Sequence, residues 1–226
     1  MTLTVAVQMD PIESINIAGD STFALMLAAQ QRGHRLFHYD VEGLNWETDP
    51  AGGGRLWTRA RPVTVQRVQG DHFRLGDPVS LDLGSEADVV LMRQDPPFDM
   101  GYITATHLLE RIADRTLVVN DPASVRNAPE KVLVLDYARF MPPTLVTRSV
   151  DEARAFLKEH GAIVVKPIHG NGGKAIFRVG PEGENLSALF EVFNNSWREP
   201  HMVQAFLPSV AEGDKRIVLV DGEVAG

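Results

Sequence analysis

The first 39 residues alternate strand, helix and strand, and this order constrains the fold more than any other feature. Residues 3–8 and 36–39 are short apolar runs of the kind that form buried strands. Between them, Asp20-Ser21-Thr22 offers an N-cap, and Gly33 stands where a helix commonly ends. Two strands joined by a helix pair in parallel through a crossover connection. The chain is therefore predicted to be an α/β protein that begins with an open parallel-sheet domain.

The rest of the chain continues to mix strands with helices. In the first part we expect strands at residues 56–58, 63–68, 88–92 and 117–119, a flexible triple glycine at 52–54 and a helix at 102–113. A second unit begins near residue 120, and its capping box, Asn127-Ala128-Pro129-Glu130, predicts a helix to about residue 140. It continues with strands at 144–147, 162–167, 175–179 and 202–206 and helices at 149–161 and 186–194. Residues 217–226 read as a hairpin with an Asp221-Gly222 turn whose second strand stops early, which indicates part of a longer protein.

Composition excludes several classes of protein. Lys and Arg number 22 against 30 Asp and Glu, a formal charge of −8, and duplex nucleic acid needs a basic binding surface. The absence of cysteine excludes a disulfide framework, a thiol nucleophile and a zinc ribbon. No run approaches the roughly 18 apolar residues of a membrane span, and the N-terminus has no signal-peptide pattern. We therefore expect a cytoplasmic protein with neither nucleic acid nor membrane as partner.

A glycine-rich segment, Ile168-His169-Gly170-Asn171-Gly172-Gly173-Lys174, lies between two predicted strands and is called the glycine loop below. Its glycines allow positive φ and can turn several N–H groups towards one anion. The Walker A pattern fails, because Ile168 and Ala175 stand where glycine and Ser or Thr are needed. The dinucleotide pattern fits the spacing but must open a helix, whereas a strand is predicted to follow. Two interpretations remain: a hairpin flap that closes over phosphates, and a loose hairpin without a ligand.

Charged residues near the glycine loop favour the first interpretation. Lys166 ends the apolar strand directly before the loop, where a positive charge beside an anion-binding nest suits a polyphosphate, although its head group could also reach solvent. Lys131 is weaker evidence, since a lysine in the first turn of a helix can simply be exposed. Residues 204–208 could present backbone groups to an adenine. Asp214 follows, and its alternative is a solvated turn around Gly213.

Asp10 and Arg93 both lie just beyond the carboxyl ends of predicted parallel strands. Ligands of open α/β sheets bind at that edge. The alternative is that the two side chains form a solvated ion pair that caps a loop, and position alone slightly favours this alternative.

Several segments together resemble one known family. They are Met9-Asp10-Pro11-Ile12, Arg93-x-Asp95-Pro96-Pro97-Phe98-Asp99, Asn120-x-Pro122, Glu130-Lys131, Lys166-Pro167 with the glycine loop, Ile176-Phe177-Arg178, Gln204-x-x-Leu207-Pro208 and Gly213-Asp214-Lys215-Arg216. In this combination the chain resembles the bacterial glutathione synthetases, which belong to the ATP-grasp superfamily. The resemblance implies a substrate-binding α/β (pre-ATP-grasp) domain over residues 1–125, an α+β ATP-grasp lid over 126–208 and only the start of the ATP-grasp core domain over 209–226.

The resemblance also implies roles for individual residues. The phosphates of ATP would contact Lys131, Lys166 and the loop glycines Gly170, Gly172 and Gly173. Adenine would lie by Gln204, Ala205 and Leu207, the ribose hydroxyls by Asp214, and the γ-phosphate or substrate carboxylate by the catalytic residue Arg216. Candidates for the dipeptide site, chosen by position, are Asn16, Ser21, Arg93 and Asp95. The family's metal ligands and mobile active-site loop lie beyond residue 226, so no metal ligand is assigned.

The implied reaction is the ligation of γ-glutamylcysteine and glycine through an acyl phosphate, which uses ATP and Mg²⁺ (or Mn²⁺) and gives glutathione, ADP and phosphate. It needs positioning and charge neutralisation rather than a protein nucleophile. The family forms homo-tetramers, and we expect the 226-residue chain alone to be inactive. Two alternatives remain: another ATP-grasp carboxylate–amine ligase, and a non-catalytic nucleotide-binding module.

Overall fold

A computed structural model describes residues 1–170, 172–220 and 222–225. It divides into two compact units, Met1–Pro129 and Glu130–Gly226. Each unit has its own sheet with helices packed on it, the first with a parallel centre and the second antiparallel. The predicted order of an open parallel-sheet domain followed by an α+β unit is thus confirmed. The predicted domain limits at residues 125 and 208 stay predictions.

The first unit is built on an eight-stranded mixed sheet. Its strands are β1 (Thr4–Gln8), β2 (Arg35–Tyr39), β3 (Asn45–Asp49), β4 (Gly53–Val65), β5 (Phe73–Leu75), β6 (Val79–Asp82), β7 (Val89–Met92) and β8 (Leu117–Val119). Its helices are α1 (Ser21–Gln31), α2 (Met100–Glu110) and α3 (Pro122–Arg126), with 3₁₀ turns at Ile12–Ser14 and Val41–Gly43. Strands β2, β1, β7 and β8 pair in parallel in that order, and β4 joins β2 antiparallel.

The crossover from β1 through α1 to β2 forms as the sequence predicts. All five residues of β1 are buried, because the strand contributes to hydrophobic clusters on both faces of the sheet. The Asp20 carboxylate accepts a hydrogen bond from Phe23 N at 2.6 Å and so caps the first turn of α1. Phe23 and Met26 are fully buried on the same side as Val5 and Val7. These contacts fix the helix over the sheet.

The region after β2 differs from the prediction. Instead of two short strands at 56–58 and 63–68, the structure has the single 13-residue strand β4. Its first half pairs with β3 and β6 and its second half with β2 and β5, so one strand pairs with four others. Gly54 is not a flexible linker residue as expected, because it lies inside β4, where a Cβ would stand 2.1 Å from the ring of Trp46. Close approach of the indole therefore requires glycine there.

The second unit is built on a four-stranded antiparallel sheet. Its strands are β9 (Thr144–Thr147), β10 (Ile163–Pro167), β11 (Phe177–Val179) and β12 (His201–Ala205), paired in the order β11, β10, β12, β9. Its helices are α4 (Glu130–Leu133), α5 (Val150–His160) and α6 (Leu186–Ser196), with 3₁₀ segments at Val134–Phe140 and Pro208–Glu212. A hairpin of β13 (Leu219–Val220) and β14 (Glu223–Val224) follows. Its predicted turn includes Asp221, which lies outside the described residues.

Helices α5 and α6 cover one face of this sheet. Ser149 caps α5 through a hydrogen bond from Glu152 N at 3.3 Å, and Gly161 ends the helix with φ of 75°, as the sequence predicts. The buried cluster beneath the two helices consists of Ala153, Leu157, Ile163, Val165, Val179, Leu186, Phe190, Phe193 and Val203. Alternate residues of β10 and β12 belong to this core, so the residues between them face the other side.

The helix expected over residues 130–140 is only partly α-helical. The α-helical part ends at Leu133, and the 3₁₀ segment that follows is interrupted at Tyr137, with φ of −117° and ψ of 33°. A 3₁₀ path is tighter than an α-helix and turns side chains by a different angle per residue. The segment therefore presents its apolar residues at positions that α-helical spacing does not define.

The predicted capping box at Asn127 is wrong. Asp121 is the N-cap of α3, where its carboxylate accepts a hydrogen bond from Ser124 N at 2.7 Å and Pro122 occupies the first helical position. Asn127 is the C-cap of that helix. Because Asn127 already ends one helix, it does not begin the next, and the Glu130 carboxylate is left for another partner.

His201 is a buried titratable group in the core of the second unit. Its ring packs among the aromatic side chains of Phe190, Phe193 and Trp197. Its Nε2 lies 2.9 Å from Oδ1 of Asn194. Burial, reinforced by the charge of Arg148 and opposed by that of Glu199, lowers the pKa of His201 below its ordinary value.

Acid is therefore expected to destabilise the second unit through His201. A histidine whose folded pKa is lowered contributes stability above its unfolded pKa of about 6.5, and this stability is lost as the pH falls below that value. Between roughly pH 7.5 and pH 5, the free energy of unfolding should fall more steeply for the wild type than for His201→Phe, which keeps a ring but cannot titrate. Equal slopes for the two proteins would contradict this prediction.

Candidate functional site

A cleft of about 440 Å³ opens in the second unit, between the segment after Glu130 and the sheet. It is called the lysine cleft here and is lined by Lys131, Val134, Tyr137, Phe140, Met141, Lys166, Met202 and Gln204. Two ammonium groups and one amide thus stand among apolar and aromatic side chains. A mostly apolar cleft with a few convergent polar groups is the usual form of a small-molecule site.

Lys166 reaches the cleft because of the strand alternation of β10. Val165 points into the core beneath α5 and α6, so Lys166 lies on the opposite face, paired with Met202 of β12. Burial lowers the pKa of Lys166 below its ordinary value, and the charge of Lys131 lowers it further. An anion beside Lys166 would stabilise its charged form. The prediction that Lys166 is more than a solvated surface lysine is consistent with this environment.

Lys131 and its neighbour Glu130 both contact the glycine loop. Lys131 Nζ donates a hydrogen bond to Gly170 O at 2.5 Å, and Gly170 N donates one to Glu130 Oε2 at 2.7 Å. The Lys131 ammonium is 3.9 Å from the same carboxylate. Lys131 is therefore not simply exposed. Glu130 was not among the predicted site residues, although its position directly before Lys131 in the family motif was a signal.

The glycine loop forms the turn of a hairpin, as predicted. Strands β10 and β11 on either side of it pair antiparallel, so the loop opens a strand and not a helix. Gly170, Gly172 and Gly173 have φ of 111°, 63° and 73°. L-residues with a side chain rarely adopt such values, so glycine suits all three positions. Asn171 lies outside the described residues.

An aromatic wall of the lysine cleft was missed at the level of sequence. The side chains of Tyr137 and Phe140 line the cleft and remain 57% and 73% exposed. Exposed aromatic rings of this kind offer flat apolar contact area for a planar ligand. α-Helical spacing does not mark this wall, because the segment that carries both rings is a 3₁₀ path interrupted at Tyr137.

Gln204 lines the lysine cleft, whereas the next two backbone N–H groups are hydrogen-bonded within the second unit. Gln204 Nε2 donates to Thr144 Oγ1 at 2.9 Å. Ala205 N donates to Pro143 O at 3.0 Å, and the N–H of the next residue is also bonded within the unit. The N–H of Ala205 is thus engaged within the second unit, and the assignment of Ala205 to the adenine stays a prediction. Leu207 is exposed just beyond the strand.

Asp214 and Arg216 lie in an irregular, exposed segment between Pro208–Glu212 and β13. Neither is among the residues that line the lysine cleft. Their assignment to ribose and to the γ-phosphate stays a prediction.

At the carboxyl edge of the first sheet, Arg93 is half-buried and oriented by α1. Arg93 Nε donates to Thr22 Oγ1 at 3.1 Å, and Arg93 N donates to Gln8 O at 2.8 Å. Ser21, a predicted substrate contact, is exposed beside Thr22 in the first turn of α1. Arg93 thus connects the carboxyl ends of β1 and β7 to the start of α1, through its backbone N–H and its guanidinium.

The alternative of an ion pair between Asp10 and Arg93 is wrong for the part of the chain that the structure describes. Asp10 Oδ2 instead accepts a hydrogen bond from Asp95 N at 2.6 Å. The charges of Arg93, Asp95 and Asp10 all act on Tyr102, whose pKa is raised, chiefly by burial. These charged groups therefore surround one phenol at the sheet edge.

A buried polar network beneath this edge was not predicted. The Tyr39 hydroxyl donates to Gln8 Oε1 at 3.2 Å, and Gln8 Nε2 donates to Gln94 Oε1. Burial raises the pKa of Tyr39 far above its ordinary value, so the phenol stays a donor. The signal in the sequence was Gln8 at the end of the mostly apolar strand β1, since a buried amide needs partners.

Asn16 is farther from these contacts in the chain. It lies in the turn before α1, where its Oδ1 accepts a hydrogen bond from Ala18 N at 3.2 Å. The side chain is exposed and its bond is local. A role for Asn16 in substrate binding stays a prediction.

Among the described residues, no group of three or more His, Asp or Glu side chains could hold a metal ion. No Mg²⁺ ligand is therefore assigned in the described part of the chain, and no step is assigned to a metal here. None of its helices has both the length and the apolarity to cross a bilayer.

Solved structures define the class of fold. The protein resembles the ATP-grasp ligase PsnB with a TM-score of 0.52 and 15% identity, over 92% of this chain and 65% of that one. It resembles D-alanyl-alanine synthetase A from Vibrio cholerae with a TM-score of 0.55 and 14% identity, over 99% of this chain and 66% of that one. The fold is thus that of the ATP-grasp ligases, and at such low identity the likeness shows the fold alone.

The family follows from closer matches. The model of the prokaryotic glutathione synthetase N-terminal domain matches residues 3–126, and that of the prokaryotic glutathione synthetase ATP-grasp domain matches residues 130–226. The chain is 56% identical to the glutathione synthetase of Rhodopseudomonas palustris and 55% identical to that of Bradyrhizobium diazoefficiens, over 100% of this chain and 70% of each relative. The chain belongs to the prokaryotic glutathione synthetase family. The family expected from the motifs is confirmed.

Proposed function

We propose that this protein is a glutathione synthetase that joins γ-glutamylcysteine to glycine while converting ATP to ADP and phosphate. The observation that carries the proposal is the convergence of Lys131 and Lys166 in one cleft beside a glycine hairpin, in a chain of this family. The cytoplasmic location, the use of Mg²⁺ or Mn²⁺ and the tetramer that the family resemblance implies stay predictions.

The lysine cleft is the proposed nucleotide site. Lys131 and Lys166 neutralise the phosphates, and the N–H groups of the glycine loop add hydrogen bonds to the same oxygens. The aromatic wall formed by Tyr137 and Phe140 supplies apolar area for the planar base. Arg216 is proposed to neutralise the γ-phosphate during transfer. Such groups lower the barrier by positioning and by stabilising charge.

The carboxyl edge of the first sheet is the proposed dipeptide site. Arg93 is the natural partner for a carboxylate, because a guanidinium binds a carboxylate through two parallel hydrogen bonds. Its Nε is held by Thr22, which leaves the two terminal nitrogens for this bond. Ser21, Asp95 and Asn16 are proposed to contribute the remaining polar contacts.

The proposed reaction has two steps. An oxygen of the cysteinyl carboxylate attacks the γ-phosphorus while the bond to the bridging β–γ oxygen breaks, and ADP leaves. The neutral amine of glycine then attacks the acyl carbon, phosphate leaves and the nitrogen loses a proton. The acyl phosphate is labile, so excluding water is part of the task of the site.

The full-length enzyme tests this proposal against the alternatives. ADP release should require ATP, γ-glutamylcysteine and glycine together. Release with another acid and amine pair, and not with this one, would favour a different ATP-grasp ligase. Binding of ATP without ADP release under any pairing would favour a nucleotide-binding module.

Arg93→Gln is expected to raise the KM for γ-glutamylcysteine about tenfold and to leave the KM for ATP unchanged, because one charge-assisted contact is lost. Arg35→Gln is the matched control. Arg35 also donates to a threonine hydroxyl, Thr4 Oγ1 at 2.6 Å, but it begins β2 at the opposite edge of the sheet. Steady-state kinetics with each substrate varied in turn gives both constants. Similar changes in the two variants would remove Arg93 from the dipeptide site.

A further inference from the structure

Glu130 has an unusual backbone and an unusual partner. Its φ is 43°, a left-handed conformation that is uncommon for a residue with a side chain. Its Oε2 accepts the N–H of Gly170 at 2.7 Å, while Lys131 donates to the carbonyl of the same glycine at 2.5 Å. Two adjacent side chains therefore hold both backbone polar groups of Gly170.

Packing does not hold the glycines of the loop in place, although Ile168 at the start of the loop is buried. A Cβ at Gly170, Gly172 or Gly173 would meet no heavy atom within 4 Å in the part of the chain that the structure describes. All three residues are exposed. Hydrogen bonds are therefore needed to orient the glycine part of the loop, and those at Gly170 stand at its first glycine.

Charge balance alone does not account for Glu130. Its carboxylate is 3.9 Å from the Lys131 ammonium, beyond hydrogen-bond distance, and 2.7 Å from Gly170 N. A carboxylate near a phosphate site also repels the phosphates. A carboxylate that weakens phosphate binding by its charge is therefore expected to have another role in the site.

We propose that Glu130 is a positioning residue that holds the glycine loop at Gly170 so that the following N–H groups are set to close on the phosphates of a nucleotide. The assignment rests on the proposed function, since it takes a nucleoside triphosphate as the ligand of the lysine cleft. Glu130 itself touches neither the nucleotide nor the dipeptide. It acts through the loop.

Two variants of the full-length enzyme separate the hydrogen bond from the charge. Glu130→Ala removes the acceptor and should raise the KM for ATP about tenfold, with the KM for γ-glutamylcysteine unchanged. Glu130→Gln keeps an amide oxygen that can accept the Gly170 N–H, so its KM for ATP should stay within about twofold of the wild type. An effect of lost stability alone would not divide between the two substrates in this way.

Limited proteolysis supplies a second measurement that needs no nucleotide. Trypsin cleavage after the exposed Lys174 in the glycine loop should be faster in Glu130→Ala than in the wild type or Glu130→Gln. Cleavage after the exposed Arg67, in the first unit, is the internal control and should be equal in all three proteins.

An unchanged KM for ATP in Glu130→Ala, together with unchanged cleavage after Lys174, would overturn the positioning role. Equal impairment of Glu130→Gln and Glu130→Ala would also overturn it, because the charge and not the hydrogen bond would then matter. If the wild type has no ligase activity, the proposed function fails. The cleavage assay still reports on the loop in that case.

Discussion

Replacing Lys166 with alanine is expected to weaken ATP binding about 10- to 100-fold. Hydrogen bonds to charged groups contribute about 1.5–3 kcal/mol, and about 1.4 kcal/mol is a factor of ten in affinity. Lys166 is half-buried on the face of β10 that looks into the lysine cleft. It therefore cannot be replaced by solvent-borne cations as readily as a surface lysine. Isothermal titration with a non-hydrolysable ATP analogue measures the change directly.

Lys158→Ala is the matched control for this variant. Lys158 lies in α5, is exposed and does not line the cleft. Its removal takes away the same charge from the same unit, so it reports the general electrostatic effect. Equal affinity losses in the two variants, or none in Lys166→Ala, would show that the lysine cleft is not the phosphate site.

Replacing Phe190 with alanine is expected to lower the free energy of unfolding of the second unit by about 3–5 kcal/mol. Phe190 is only 1% exposed and lies on the face of α6 that packs against the core residues of the sheet. Removing the ring leaves a cavity that close-packed neighbours fill only in part. Chemical denaturation followed by Trp197 fluorescence, which reports on the same cluster, gives the value.

Phe140→Ala removes the same atoms from an exposed position and is the control. Phe140 is 73% exposed at the mouth of the lysine cleft. Its loss should change the free energy of unfolding by less than about 0.5 kcal/mol. If the two alanine variants lost similar stability, the core of this unit would have been assigned to the wrong face of the sheet.

Much of the fold could be predicted because local signals agree with tertiary structure in several elements. The Asp20 cap and the Ser149 cap work through neighbouring residues in the chain. The apolar run of β1 is a local pattern that marks a buried strand, and its parallel pairing with β2 followed from the helix between them. These elements could be predicted because their signals lie within a few residues, even where the contacts themselves are distant.

Elements that depend on distant partners could not be predicted. The length of β4 depends on four other strands that pair with it, and no local pattern contains that information. The Asn127 box matched its pattern, yet Asp121 and Pro122 had already started a helix that Asn127 ends. In both cases a competing contact elsewhere decided the outcome.

The residues of the candidate sites also fall into two groups: those that local signals mark and those that depend on distant partners. Lys166 and Gln204 could be identified because strand position and sequence motifs mark them. The bond from Arg93 to Thr22 joins residues 71 positions apart, and the bond between Glu130 and Gly170 joins residues 40 apart. Such pairs cannot be identified before the chain is folded. For the same reason, the sequence suggested Arg93 as the partner of Asp10, whereas Asp10 accepts a hydrogen bond from Asp95 N.

The central claim is that this enzyme activates the dipeptide carboxylate as an acyl phosphate. It is tested most directly by labelling the cysteinyl carboxylate of γ-glutamylcysteine with ¹⁸O and following the label after one turnover of the full-length enzyme. The account predicts one ¹⁸O in each phosphate released and the other in the new amide carbonyl of glutathione. Release of unlabelled phosphate, with both ¹⁸O atoms still on unreacted dipeptide, would contradict it.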